Sequence, residues 1–119
     1  MGSMRLGEIA RLLECTVICG EDLLNVDVCS CFAADMMSDV LRFSHSGALL
    51  VTGLASIQSV HAADVADFRG ILFVHDKRPD PSVVEMARQK RLPLLSTRRF
   101  MFETCGLLFR HGLSAAEKE

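Results

Sequence analysis

The segment Ala48-Leu49-Leu50-Val51-Thr52-Gly53 sets a pattern that returns twice, as Gly70-Ile71-Leu72-Phe73-Val74 before His75 and as Pro93-Leu94-Leu95 before Ser96-Thr97. Each is a short unbroken apolar run ending in a polar turn, and each leads into a stretch with helical spacing. Strands that are apolar at every residue are covered on both faces, as in a parallel sheet with crossover helices. The intervening stretches fit that arrangement. From Ser56 onward Ile57, Val60, Val65 and Phe68 form one stripe, and Asp80 as cap with Pro81 at the first helical position opens a second helix. Met101, Cys105, Leu108 and Phe109 form a third, which Gly112 ends. The pattern predicts α/β architecture: a three-layer sandwich around a small, mostly parallel sheet.

Upstream, Leu6, Ile9, Ala10 and Leu13 recur at helical spacing and predict a helix over 6–14. Residues 16–19 and 26–32 read as two short strands joined by a turn over 20–25. Alternation in the second puts Asp27, Cys29 and Cys31 on one face and Val26, Val28 and Phe32 on the other. Asp35 reads as the cap of a helix to Phe43 with Met36, Met37, Val40 and Leu41 as its stripe, ended by 44–47. Met1-Gly2-Ser3 ahead of a second methionine reads as an expression leader, so one domain is expected over 4–113. Residues 114–119, small and charged, read as a flexible tail.

The 119 residues carry 15 acids and 13 bases, a formal charge of −2, and half are hydrophobic. A chain of this size buries about 65–70% of its unfolded surface, enough for a core without staples. Near-neutral charge removes the counterion-release drive of nucleic-acid binding, and seven Phe with no Tyr or Trp offer no obvious stacking face. The longest unbroken apolar run is four residues, five counting glycine, far below the roughly 20 that span a bilayer. The expectation is a cytoplasmic protein with neither nucleic acid nor membrane as partner.

In open parallel sheets, ligands bind beyond the carboxyl ends of the strands, where helix N-termini favour anions. Three junctions share that edge: Thr52-Gly53, His75-Asp76-Lys77-Arg78 and Ser96-Thr97-Arg98-Arg99. Two Arg at the start of the last helix oppose the macrodipole at a cost of a few tenths of a kcal/mol each, roughly, which an anion offsets. Phosphate-loop, dinucleotide, nucleophile-elbow and zinc-helix motifs are all missing. His45, His61, His75 and His111 lack ligand spacing, and His75 beside Asp76 makes a poor acid/base pair if both extend a strand. No catalytic residue and no metal ligand is assigned. The five cysteines are odd in number and irregularly spaced, which fits buried small hydrophobes better than disulfides or a metal site.

From about Gly20 to Arg110 the chain resembles DRTGG domains, found with HPr kinase-related proteins, phosphotransacetylases and pyrophosphatases with paired CBS domains. The resemblance is carried by Ala34-Asp35-Met36-Met37-Ser38-Asp39-Val40, Ala48-Leu49-Leu50-Val51-Thr52-Gly53, Arg78-Pro79-Asp80-Pro81 and Leu92-Pro93-Leu94-Leu95-Ser96-Thr97, with Phe102 following. At the namesake positions the chain differs, with Leu54-Ala55 in place of Asp-Arg and Val74-His75-Asp76 in place of Thr-Gly-Gly. The resemblance implies a fold like the N-terminal domain of HPr kinase and a regulatory, ligand-sensing or assembly role. Stand-alone members resemble accessory proteins of iron-only hydrogenase systems.

The leading expectation is a non-catalytic sensor of a small anionic ligand, a nucleotide or phosphorylated metabolite, with no cofactor assigned. Its site would comprise Asp39, Thr52, Gly53, His75, Asp76, Ser96, Thr97 and Arg98, with Asp39 closing it from the earlier helix. The alternative is a homodimerisation or protein-docking module with Met36 and Met37 outward. A third reading gives Cys29 and Cys31 a redox or metal role.

Overall fold

The computed structural model describes residues 2–43 and 46–116. Short β1 (Met4–Arg5) leads into α1 (Leu6–Leu12), then β2 (Thr16–Cys19), a 3-10 turn over Glu21–Leu23, β3 (Asp27–Val28) and β4 (Ser30–Ala33). The remainder alternates: α2 (Met37–Arg42), β5 (Ala48–Thr52), α3 (Ile57–Val65), β6 (Gly70–Phe73), α4 (Pro81–Gln89), β7 (Leu94–Ser96), α5 (Met101–Arg110) and β8 (Ser114–Ala115). Six strands form one sheet in the order β2-β7-β6-β5-β4-β8, all parallel except β2, while β1 and β3 pair separately.

Strand alternation divides the core into two layers. Leu50, Ile71, Phe73 and Leu94 pack with Val40, Val60 and Val83 from α2, α3 and α4. Leu49, Val51, Leu72 and Leu95 pack with Leu6 and Ile9 of α1 and Leu108 of α5 on the other face. β5 is buried along its whole length, as an every-residue apolar run requires. The expected three-layer α/β sandwich is therefore the fold.

Several local expectations are corrected. Residues 16–19 and 26–32 do not form a hairpin: β2 pairs antiparallel with β7, while β4 joins β5 at the far side of the sheet. The alternating stretch breaks at Cys29 into β3 and β4, which belong to different sheets. Gly20 makes the departure from β2 possible, with φ of 88° and a would-be Cβ only 2.6 Å from the Cα of Pro93. On α3 the buried residues are Ser59, Val60, Ala62 and Ala63, whereas Ile57 and Val65 are exposed. Phe109 is likewise exposed on α5, where Thr104 and Leu108 face inward. The expected tail begins as an edge strand: Ser114 and Ala115 pair with Ser30 and Cys31, and the Ala116 amide donates to the Cys31 carbonyl at 2.9 Å. Residues 44 and 45, expected to end α2, and 117–119 of the tail lie outside the described residues.

Candidate functional site

The carboxyl edge of β5, β6 and β7 gathers the three junctions singled out in the sequence. Helices α2–α4 cover one face and α5 the other, so the loops after β6 and β7 leave toward opposite faces. Adjacent strands sending their chains to opposite faces open a crevice between them, the usual ligand position in open α/β sheets.

In this protein that crevice is laced by the protein's own hydrogen bonds. The His75 amide donates to the Arg99 carbonyl at 2.9 Å and the Asp76 amide to the Thr97 carbonyl at 2.8 Å. His75 and Asp76 are both left-handed, with φ of 64° and 57°, a conformation costing about 1–2 kcal/mol per ordinary residue that the two bonds hold in place. The Ser96 hydroxyl donates to the Lys77 carbonyl at 2.8 Å, and the Thr97 hydroxyl to the Leu13 carbonyl at 2.9 Å. Both side chains are buried, so these hydroxyls secure the loops.

Asp35 governs the neighbouring turn. Its Oδ1 accepts from the Gly53 amide at 2.7 Å and from the Thr52 hydroxyl at 3.0 Å, and Thr52 Oγ1 in turn accepts from the Leu54 amide at 3.1 Å. Expected as a helix cap, Asp35 instead supplies a carboxylate where an anionic ligand would meet the Gly53 amide, and the α2 cap position falls to Met36. The parallel register accounts for this: Ala33 pairs with Val51, so two residues later Asp35 comes beside Gly53. Asp39 is exposed on the first turn of α2, and the carboxylate that reaches the edge is that of Asp35.

A would-be Cβ on Gly53 lies 3.5 Å from Asp35 Oδ1 and 3.9 Å from His75 Nδ1, so these three residues share one small surface. The His75 ring meets Phe100 edge-on, with centroids 4.5 Å apart. Phe100 was not among the sequence candidates; its signal was an aromatic directly after Arg98-Arg99. Asp76 pairs with Arg78 at 3.1 Å rather than with His75, so no acid/base dyad forms. Arg99 is held by Glu14 at 3.3 Å and Glu103 at 3.5 Å, which offsets its charge at the start of α5 from within the chain. Lys77 and Arg98 are exposed, and neither makes an ion pair among the described residues.

The cysteines behave mainly as core. Burial pushes the Cys15 thiol up to about 12 against the pull of Arg99, and pushes Cys31 up to about 11 with Cys105 adding to the rise. Burial also raises Cys19 and Cys105. Cys29 alone is exposed, and among the described residues no group of three or more His, Cys, Asp or Glu is placed to hold a metal ion. None of the described helices is long and apolar enough to cross a membrane.

A mostly parallel sheet with helices on both faces, and an edge of short polar turns at its carboxyl end, defines an open-sheet α/β domain. The chain belongs to the DRTGG domain family, whose model matches residues 8–110. Among solved structures it resembles the CBS and DRTGG domains of the regulatory region of Clostridium perfringens pyrophosphatase, complexed with the activator diadenosine tetraphosphate. The TM-score is 0.73 at 15% identity, over 87% of this chain and 45% of that one, so this protein spans about half the length of that structure. No curated protein matches the chain.

Proposed function

We propose that this protein is a non-catalytic regulatory domain that binds a small anionic ligand of the nucleotide class at the carboxyl edge of its parallel sheet. The observation that carries the reading is the His75–Phe100 ring pair beside Gly53, flanked in sequence by the exposed cations Lys77 and Arg98. Rings offer a face for a base, and the two cations offer charge for phosphates without breaking an existing ion pair. Of the residues expected from sequence, His75 and Arg98 would touch the ligand, while Gly53, its amide taken by the Asp35 carboxylate, would shape the turn beside them. Asp76, Thr52, Ser96 and Thr97 would hold the loops, and Asp39 would approach only across α2. That a DRTGG-containing regulatory region is complexed with diadenosine tetraphosphate supports the choice of ligand class. The family's regulatory setting favours a sensor over an enzyme, acting in the cytoplasm. A place beside iron-only hydrogenase or in energy metabolism rests on the resemblance alone.

The test is thermal shift against ATP, ADP, AMP and diadenosine tetraphosphate, because a ligand that binds only the folded state raises its stability with the logarithm of concentration. A saturable shift is expected, reduced by Arg98→Ala and by Phe100→Ala. Absence of any shift in the wild-type protein would overturn the reading, and an unchanged shift in both variants would move the site elsewhere.

A second reading, a homodimerisation or docking module, is favoured by exposed apolar side chains. Met36 is 64% exposed as that reading expects, whereas Met37 packs against the core. The larger exposed rings lie on α5.

A further inference from the structure

The outer face of α5 has a self-complementary pattern. Phe102 is 90% exposed and Phe109 75%, the highest values among the large hydrophobic residues. Seven residues apart, they lie about 20° from one another around the helix and form one stripe. Gly106 stands between them, and a Cβ added there would meet no atom within 4 Å. The stripe therefore has a ring at each end and a bare backbone in the middle. Glu103 and Arg110, also seven apart, flank it on one side; Glu103 pairs with Arg99, just ahead of the helix, at 3.5 Å, and Arg110 makes no ion pair among the described residues.

We infer that α5 is the contact helix of a two-fold homodimer, packed antiparallel against α5 of a second copy with Gly106 at the crossing. This inference rests on the dimerisation reading given above and adds the surface and its geometry. A two-fold axis perpendicular to antiparallel helices keeps each flank on its own side. Glu103 of one copy thus stands beside Arg110 of the other, and the pairing occurs twice. A parallel two-fold pair would instead carry the flank of one copy to the opposite side of the other, leaving Glu103 and Arg110 without partners across the interface, so charge favours the antiparallel arrangement. The same operation lays Phe102 of each copy against Phe109 of the other, and Gly106 lets the backbones approach.

A helix of ten residues is short for a stable interface, which needs about 1,200 Å² or more in total. Additional surface lies alongside. An apolar groove of about 330 Å³ runs between α5 and the β4–β8 edge, lined by Cys31, Phe32, Cys105, Phe109 and Leu113 among others. Phe109 belongs to both stripe and groove, so Phe102 of the second copy, set against Phe109, would cover the groove's mouth.

The test is sedimentation equilibrium of the full chain from low to high micromolar concentration. The wild-type protein is expected to dimerise, and Phe109→Glu to be monomeric with an unchanged circular dichroism spectrum. Glu103→Arg and Arg110→Glu should each weaken the dimer by about tenfold or more, since each sets like charges together twice. An equimolar mixture of these two variants should form a heterodimer, because every cross-copy contact is again between opposite charges. A merely structural role for either residue would not give that rescue. A monomeric wild-type protein would overturn both this surface and the dimerisation reading. A dimer indifferent to Phe109→Glu, with no rescue on mixing, would overturn the α5 surface and leave the dimer standing.

Discussion

Asp35 and Gly53, eighteen residues apart, are joined by a 2.7 Å bond from the Gly53 amide to the Asp35 carboxylate, which ties the end of β4 to the turn after β5. The same oxygen takes the Thr52 hydroxyl at 3.0 Å. Replacing Asp35 with Ala leaves both donors short of a partner and is expected to cost about 1–3 kcal/mol. Asn, which keeps an acceptor oxygen, should cost less. Urea denaturation of the two variants measures the difference, and equal losses would show that the charge rather than the acceptor matters.

Thr97 tests how the loops are secured. Its buried hydroxyl donates to the Leu13 carbonyl at the end of the first helical segment. Thr97→Val keeps the shape but strands that carbonyl, with an expected loss of about 1–3 kcal/mol. A loss below about 0.5 kcal/mol by chemical denaturation would mean that water replaces the bond.

Thr104 is the contrasting case. It is fully buried on α5, and its hydroxyl has no hydrogen-bond partner among the described residues. Here the isosteric Thr104→Val removes a desolvated polar group and breaks nothing, so stability should rise by about 1 kcal/mol. Opposite signs for Thr97→Val and Thr104→Val are the outcome to look for.

Alkaline pH should destabilise the fold through its thiols. Cys31 and Cys15 rise from the ordinary value of 9.0 to about 11 and about 12, so folding favours their protonated forms. That contribution is complete below pH 9 and is lost as pH climbs through 11 and 12. Urea midpoints should fall over this window, and fall less in Cys31→Ala measured against its own midpoint at pH 8. A disulfide-exchange reagent at pH 8 should modify exposed Cys29 well before the other four. Rapid modification of Cys31 would contradict its burial.

Much of the architecture was legible along the chain. Every-residue apolar runs at 48–51, 70–74 and 93–95 mark strands covered on both faces, and Asp80-Pro81 and Gly112 mark helix ends, because these signals are local. The same information located the three junctions on one edge. Which face of α3 is buried was less legible: Ile57 and Val65 are as apolar as Val60, and only the neighbouring layer selects Val60, Ala62 and Ala63.

The site depends on distances that sequence spacing does not encode. Hydrophobic pattern determined the parallel sheet and the polar turns at its carboxyl end, since the free energy of burial depends on the order of apolar and polar residues. Tertiary structure alone decided that Asp35 reaches Gly53 rather than capping a helix, a consequence of the β4–β5 register. It likewise decided that Ser96 and Thr97 spend their hydroxyls on distant carbonyls, and that Phe100 meets His75. Each of these pairings joins segments brought together by sheet order, and a hydrogen bond or ring contact forms only when its partners lie within a few ångströms.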